Sequence, residues 1–178
     1  ENLWRQDALK EIPPHKLLYD SAGATHPVLF TPDLGDQGFT ITCAGGLAAA
    51  PNGLLWSALD EQGNGIVLKR TAGGLIRAEF KDRTMREPIK VEADAPVQND
   101  SAVTFIFDGA ANWVYVVVDG VLCDGGEARQ FGGSPIPFQM GKLTDAPVVP
   151  VGRAARVLLH DRILSVSDTI GMHRALAE

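Results

Sequence analysis

Apolar and polar residues alternate along much of this chain with a period of two, which is typical of β-strands that bury one face. The alternation is clearest in the segment VTFIF at 103–107. After a short break that contains glycine and asparagine, the β-branched and aromatic run Trp113–Val118 predicts a second strand. Asp119-Gly120 follows, and both residue types tolerate the positive φ angles of a type I′ turn. Residues 101–123 are therefore predicted to form a long antiparallel hairpin unit.

Eight other segments have strand-like composition and are separated by turn residues. They are Lys16–Tyr19, Val28–Phe30, Phe39–Ala44, Gly53–Leu59, Gly65–Arg70, Gly74–Phe80, Ile89–Ala93 and Arg153–His160. The chain contains nineteen glycines and eleven prolines, which favours short strands and many turns over long helices. Residues 124–150 are rich in both residue types and are predicted to be mostly loop.

A helix is predicted at the end of the chain. Ser165 and Asp168 have the spacing of a capping box, in which a serine oxygen and an acidic side chain bind exposed backbone N–H groups. Beyond this cap, one helical arc is shared by Ile170, His173, Arg174 and Ala177. About ten short strands and one terminal helix predict an all-β fold, a two-sheet antiparallel β-sandwich with a short C-terminal helix.

Length and charge narrow the possibilities further. The 178 residues are predicted to form a single domain, 1–178, with 1–16 as an N-terminal arm that contains a short helix-like patch. The net charge of −6 and the scattered basic residues argue against a nucleic-acid-binding surface. No stretch of about 18 apolar residues is present, so the sequence predicts no membrane span.

The order of the motifs resembles that of the laminin-G-like, or concanavalin A-like, jelly-roll domains over roughly residues 17–177. The matching segments are FTIT at 39–42, GLLWS at 53–57, GNGIVL at 63–68, GGLIRAEF at 73–80, the hairpin unit at 103–122 and RILSVSD at 162–168. Two departures are Asp100-Ser101-Ala102, where the family often has W-H-H, and the long loop 124–150.

This resemblance implies a non-catalytic, lectin-like carbohydrate-binding module from or alongside a secreted glycan-active protein, such as a sialidase-like glycosidase. Its partner would be a glycan or oligosaccharide, its location extracellular or periplasmic, and it would accompany other domains of a larger protein. The same fold also serves as a structural or adhesion module and as a catalytic domain, so those alternatives stay open.

Two catalytic motifs of this fold family are matched only in part. Glucanases carry a strand of the form E-x-D-x-E, because glycoside hydrolysis uses a pair of carboxylates. Glu92-Ala93-Asp94 lacks the third acid and is followed by Ala95-Pro96. Alginate-lyase-like members carry R-x-E-x-R, and the segment 77–81 has Lys in the last position. The sequence therefore predicts no catalytic residue, and a glycosidase or lyase with an atypical site is the alternative.

Many sugar-binding sites combine an aromatic platform with a few polar side chains on one sheet face. Strand alternation places three pairs of residues each on one face. The six candidate ligand-binding residues are Arg77 with Glu79, Trp113 with Tyr115, and Arg156 with His160. If their strands are neighbours, the six residues line one groove. The alternative is that the aromatic residues lie in the core, although Val114, Val116 and Val118 already supply a core face.

The resemblance also implies calcium as a cofactor, because domains of this fold class hold calcium through Asp, Asn and carbonyl oxygens in loops. The candidate ligands are Asp60, Asn64 and Asp124, and solvated acidic turns are the alternative. The four histidines show no metal-binding spacing and are predicted to be surface or hydrogen-bonded residues. Cys43 and Cys123 are either buried free thiols or a disulfide, which would indicate an oxidising compartment.

Overall fold

The structure is a computed structural model in which twelve strands and one helix are described. It describes residues 17–21, 38–48, 53–81, 88–93, 97–108, 113–122, 128–130, 151–152, 156–160 and 162–177. The predicted strand Val28–Phe30 and the helix-like patch in the N-terminal arm lie outside these ranges, as do Cys123 and Asp124.

The described strands form two antiparallel sheets. The seven-stranded sheet has the order β1-β12-β2-β7-β8-β10, with β9 also paired to β8, and the five-stranded sheet has the order β11-β3-β4-β5-β6. The strands are β1 Leu17–Asp20, β2 Gly38–Ala44, β3 Leu54–Leu59, β4 Gly65–Arg70, β5 Ile76–Lys81, β6 Ile89–Glu92, β7 Ala102–Asp108, β8 Trp113–Val118, β9 Val121–Leu122, β10 Ala128–Gln130, β11 Val151–Gly152 and β12 Arg156–His160. The predicted all-β sandwich is confirmed.

The hairpin unit forms as the sequence predicts. β7 and β8 pair in antiparallel register, with Val103 opposite Val118. Asp119 and Gly120 both have positive φ angles, of 50° and 76°, and they join β8 to β9 as a type I′ turn requires. The Asp119 carboxylate also accepts hydrogen bonds from the Ala102 N–H at 2.9 Å and the Ser101 hydroxyl at 3.0 Å. The turn is thereby fastened to the start of β7.

Alternation along the strands directs one face of each sheet into a shared core. Phe39 and Phe107 of the seven-stranded sheet stack at 4.4 Å between ring centroids. Phe80 of the five-stranded sheet meets Phe107 edge-on at 4.8 Å, a preferred aromatic geometry that joins the two layers. Val114 and Val116 belong to the same core and Val118 packs against it, so the predicted core face of β8 is confirmed.

The helix α1, Val166–Leu176, begins at the predicted capping box on Ser165 and Asp168. It packs on the outer face of the seven-stranded sheet, where Met172 joins a second apolar cluster with Leu158 and Leu164. The buried helix residues are Thr169, Gly171, Met172 and His173. Of the arc named from the sequence, His173 is buried and Ile170 is partly buried, whereas Arg174 and Ala177 are exposed.

Candidate functional site

The structure does not bring the six candidate ligand-binding residues into one groove. Arg77 and Glu79 alternate with the buried Ile76, Ala78 and Phe80 of β5, so they lie on the outer face of the five-stranded sheet. Trp113 and Tyr115 belong to β8 of the other sheet, and Tyr115 alternates with core valines. The two outer faces are separated by a sandwich core about 10 Å thick. The expected convergence of these two pairs is wrong.

Arg156 and His160 lie on β12, in the same sheet as Tyr115. His160 has an exposed fraction of 0%, so a ligand cannot reach it in this structure. Arg156 Nε and Nη2 donate to Asp20 Oδ1 and Oδ2 at 3.1 and 2.8 Å, and this hydrogen bonding raises the pKa of Arg156. These two residues therefore serve packing and strand-to-strand pairing in the structure.

The segment after β12 explains part of this burial. The Thr40 hydroxyl on β2 donates to the Arg162 carbonyl at 2.8 Å and accepts from the Leu164 N–H at 3.1 Å. The chain thus crosses over the outer face of the seven-stranded sheet before α1 begins. Sequence pattern places His160 on that face, but the pattern alone does not show that the face is covered.

Four charged side chains of three neighbouring strands meet on the outer face of the five-stranded sheet. The register places Lys69 of β4 opposite Arg77 of β5, and Arg77 opposite Glu92 of β6. Glu79 lies two residues after Arg77 on the same strand face. We call Lys69, Arg77, Glu79 and Glu92 the β4–β6 charge cluster.

Arg77 is held between two carboxylates in this cluster. Arg77 Nε donates to Glu92 Oε1 at 2.7 Å, and Arg77 Nη2 donates to the same oxygen. Arg77 Nη1 reaches Glu79 Oε1 at 3.5 Å. The hydrogen bond to Glu92 is the largest cause of the raised pKa of Arg77. The guanidinium is thus a fixed positive charge with a defined orientation.

Glu79 connects two cations that would otherwise face each other across the strands. Lys69 Nζ lies 2.8 Å from the Glu79 Oε1 atom that also meets Arg77. Like charges directly opposite each other on antiparallel strands are destabilising, so a carboxylate between them stabilises the pair. Lys69 and Glu92 are cluster members that are not among the six residues predicted from the sequence. The signal for them is the cross-strand register, which a single sequence does not supply.

The cluster is accessible from outside. The side chains of Arg77, Glu92 and Lys69 are 28%, 32% and 36% exposed, whereas Glu79 is 13% exposed. A guanidinium offers parallel N–H groups that match a carboxylate, which makes it the preferred side chain for planar carboxylate recognition. This face therefore presents hydrogen-bond donors and acceptors of the kind that pair with polar or carboxylate-bearing molecules.

The calcium candidates in the β3–β4 turn have a structural role. Asp60 Oδ1 accepts from the backbone N–H groups of Gln62 at 3.0 Å and Asn64 at 2.8 Å, and Oδ2 accepts from Asn64 Nδ2 at 3.4 Å. The Asp60 carboxylate therefore closes the turn. Among the residues that the structure describes, no three His, Cys, Asp or Glu side chains are grouped to hold a metal ion.

The catalytic motifs show no assembled site in the described part of the chain. Glu92 is bound to Arg77, and Asp94 lies outside the described residues. Arg77, Glu79 and Lys81 of the lyase-like segment share the outer face of β5, where Glu79 is bound by Lys69. Cys43 is free and fully buried, and burial raises its pKa to about 12, so this thiol stays protonated.

A buried polar network fastens α1 to the seven-stranded sheet. His173 Nδ1 accepts from the Gly120 N–H at 2.8 Å, so its Nε2–H donates to the Thr104 hydroxyl at 2.6 Å. The Thr104 and Thr42 hydroxyls are 2.8 Å apart, and Thr42 lies 3.8 Å from Met172 Sδ. Burial lowers the pKa of His173 to about 4. His173 is therefore a neutral, hydrogen-bonded histidine, as predicted for this residue type.

A cleft of about 380 Å³ lies between α1 and the β8–β9 turn. Asp100 and Asp119 line one part of it, and Ile170, Arg174 and Leu176 of the helix line another. The cleft is on the far side of the sandwich from the β4–β6 charge cluster, because α1 packs on the other sheet. An experiment that maps a bound ligand can therefore distinguish this cleft from the β4–β6 charge cluster.

Comparison with known proteins identifies structural relatives only. No protein-family model and no curated protein sequence matches the chain. The fold is similar to part of the NanB sialidase from Streptococcus pneumoniae, with a TM-score of 0.59, 10% identity and coverage of 88% of this chain and 28% of the sialidase chain. This chain thus spans little more than a quarter of that enzyme's length.

A second relative matches over nearly its whole length. The CBM40 domain of the Ruminococcus gnavus IT-sialidase has a TM-score of 0.57 and 14% identity, with 86% of this chain and 97% of that domain covered. The same domain with bound α2,3-sialyllactose gives a TM-score of 0.50 at 14% identity. At these identities the similarity shows the fold, a β-sandwich shared with sialidase-associated carbohydrate-binding domains. In the part of the chain that the structure describes, no helix has the length and apolar character to cross a membrane.

Proposed function

We propose that this chain is a non-catalytic carbohydrate-binding module that accompanies a glycan-active protein. The observation that carries the proposal is the accessible Arg77 guanidinium, which already holds a carboxylate on an outer sheet face. The structural relatives are consistent with it, because a CBM40 domain of similar fold was solved with α2,3-sialyllactose. The proposed ligand is a glycan with a carboxylated sugar.

The chemistry of the cluster favours this ligand class. A sugar carboxylate can take the position of Glu92 on the guanidinium, while Lys69 and Glu79 offer a donor and an acceptor to hydroxyl groups. Four side chains on one sheet face provide few contacts to offset the cost of ordering and desolvating a small polar ligand. We expect affinities of roughly micromolar to millimolar.

Of the six residues expected from the sequence, the proposed site contains Arg77 and Glu79. Trp113 and Tyr115 belong to a strand of the other sheet, so Tyr115 is an independent position to test. On its motif order, we also infer that the sandwich belongs to the laminin-G-like or concanavalin A-like superfamily. An extracellular or periplasmic location and attachment to further domains, as in a sialidase, are parts of the same proposal.

Isothermal titration calorimetry with α2,3-sialyllactose and lactose tests the proposal. Wild type should bind the acidic trisaccharide more tightly than lactose, and Arg77→Ala should abolish that difference. Arg162→Ala removes another exposed arginine and is the matched control, which should bind like wild type. No product should be released from either sugar. Equal binding by wild type and Arg77→Ala would show that the site lies elsewhere. Loss of binding in Tyr115→Ala alone would show that it lies on the other sheet.

A further inference from the structure

The carboxylate-binding edge of Arg77 is occupied by a side chain of the protein itself. Nε and Nη2 form the guanidinium edge that presents two parallel N–H groups, and both donate to Glu92 Oε1. The remaining donor with a described partner, Nη1, is directed to Glu79. A ligand carboxylate that requires the Nε–Nη2 edge therefore requires the place that Glu92 fills.

The two glutamates differ in how easily their carboxylates can be displaced from the Arg77 guanidinium. Glu79 is 13% exposed and lies between Lys69 and Arg77, so its removal would bring two cations face to face. Glu92 is 32% exposed and belongs to β6, which ends the five-stranded sheet among the described strands. Its side chain can turn towards water at the cost of one partly exposed ion pair, which is small.

We propose that Glu92 is an internal competitor for the ligand carboxylate at Arg77, a specificity-determining residue that rests on the proposed function. The ligand carboxylate replaces the Glu92 carboxylate on the Nε–Nη2 edge, and Glu92 turns outwards. Every carboxylated ligand must then break the Arg77–Glu92 ion pair in order to bind. A neutral sugar leaves the ion pair in place and has no such cost. Glu92 thus limits the advantage of acidic over neutral glycans.

Substitution of Glu92 by glutamine removes the competing charge and keeps the size of the side chain. Glu92→Gln should bind α2,3-sialyllactose about two- to five-fold more tightly than wild type, which is the size of effect that a partly exposed ion pair carries. Lactose binding should not change. The matched control is Glu61→Gln in the exposed β3–β4 turn, which alters net charge equally and should leave both affinities unchanged.

A double-mutant cycle separates competition from a general charge effect. In the Arg77→Ala background, Glu92→Gln should no longer tighten binding, because the edge for which Glu92 competes is absent. Melting temperatures of all variants check that each is folded before its affinity is compared.

The outcomes distinguish the inference from the proposed function. If Arg77→Ala weakens binding of the acidic sugar but Glu92→Gln binds equally or less tightly than wild type, Glu92 is not a competitor and the inference fails alone. If Glu92→Gln and Glu61→Gln tighten binding equally, the effect is net charge and the inference also fails. If neither sugar binds any variant, the proposed function itself fails.

Discussion

His173 should make the stability of this domain depend on pH. The residue is 4% exposed and its imidazole accepts the Gly120 N–H on Nδ1, so protonation removes that hydrogen bond and buries a charge. Burial lowers its pKa from 6.5 to about 4, although the nearby Asp119 charge acts in the opposite direction. The unfolded chain therefore binds a proton near pH 6.5, whereas the folded chain binds it only near pH 4.

The sign and size of the effect follow from this difference. The contribution of His173 is fully present above about pH 6.5 and is lost as the pH falls towards 4, because the unfolded state then binds more protons. One pKa unit corresponds to about 1.4 kcal/mol, so the loss over this interval is about 3 kcal/mol. For a domain of this size that corresponds to a substantial part of the total free energy of unfolding.

Urea unfolding of wild type and His173→Gln between pH 8 and pH 4 measures this loss of unfolding free energy. The glutamine amide can accept from Gly120 and donate to Thr104, but it does not titrate in this interval. The stability of wild type relative to the variant should therefore fall by about 3 kcal/mol as the pH is lowered from 6.5 to 4. The pH dependence that arises away from His173 is common to both proteins and cancels. A difference that stays constant with pH would refute the account of His173 as a buried neutral residue.

Three further substitutions test the fold. Val116→Asp should prevent cooperative folding, because Val116 is 2% exposed and an unpaired buried carboxylate costs several kcal/mol. A soluble variant with a sharp thermal transition would show that this face of β8 is not core. Ser165→Ala should cost about 1 kcal/mol by removing the helix cap, measured as a lower urea midpoint, and an unchanged midpoint would argue against the capping box. Gly65→Ala should lower the melting temperature strongly, because φ is +137° and a Cβ would lie 1.9 Å from the Ala58 carbonyl oxygen; a neutral effect would contradict the described β3–β4 pairing.

Local features of this fold are predictable from the sequence because they depend on neighbouring residues. The alternation in β5, β7 and β8 shows which side chains face the core, and the Asp119-Gly120 turn follows from positive φ angles. The capping box depends on residues three positions apart. Strand bounds agree to within a few residues, and those of β4 agree with the predicted Gly65–Arg70.

The composition of the site was not predictable in the same way. Alternation shows that Arg77 and Tyr115 both point away from the core, but it does not show that their strands belong to different sheets. Glu92, the partner of Arg77, lies fifteen residues away on β6. The hydrogen bonds between Thr40 and the segment after β12 span more than 120 residues. These contacts depend on the order and register of the strands in each sheet. The same sequence pattern is compatible with several orders and registers, so it does not predict the contacts.

The most direct test of the central proposal is an amide chemical-shift titration of the ¹⁵N-labelled protein with α2,3-sialyllactose. Saturable shifts are expected in β4, β5 and β6 around Lys69, Arg77 and Glu92, with smaller shifts when lactose is added. Shifts concentrated around Asp119 and Arg174 in the cleft beside α1, or no saturable shifts at millimolar sugar, would contradict it.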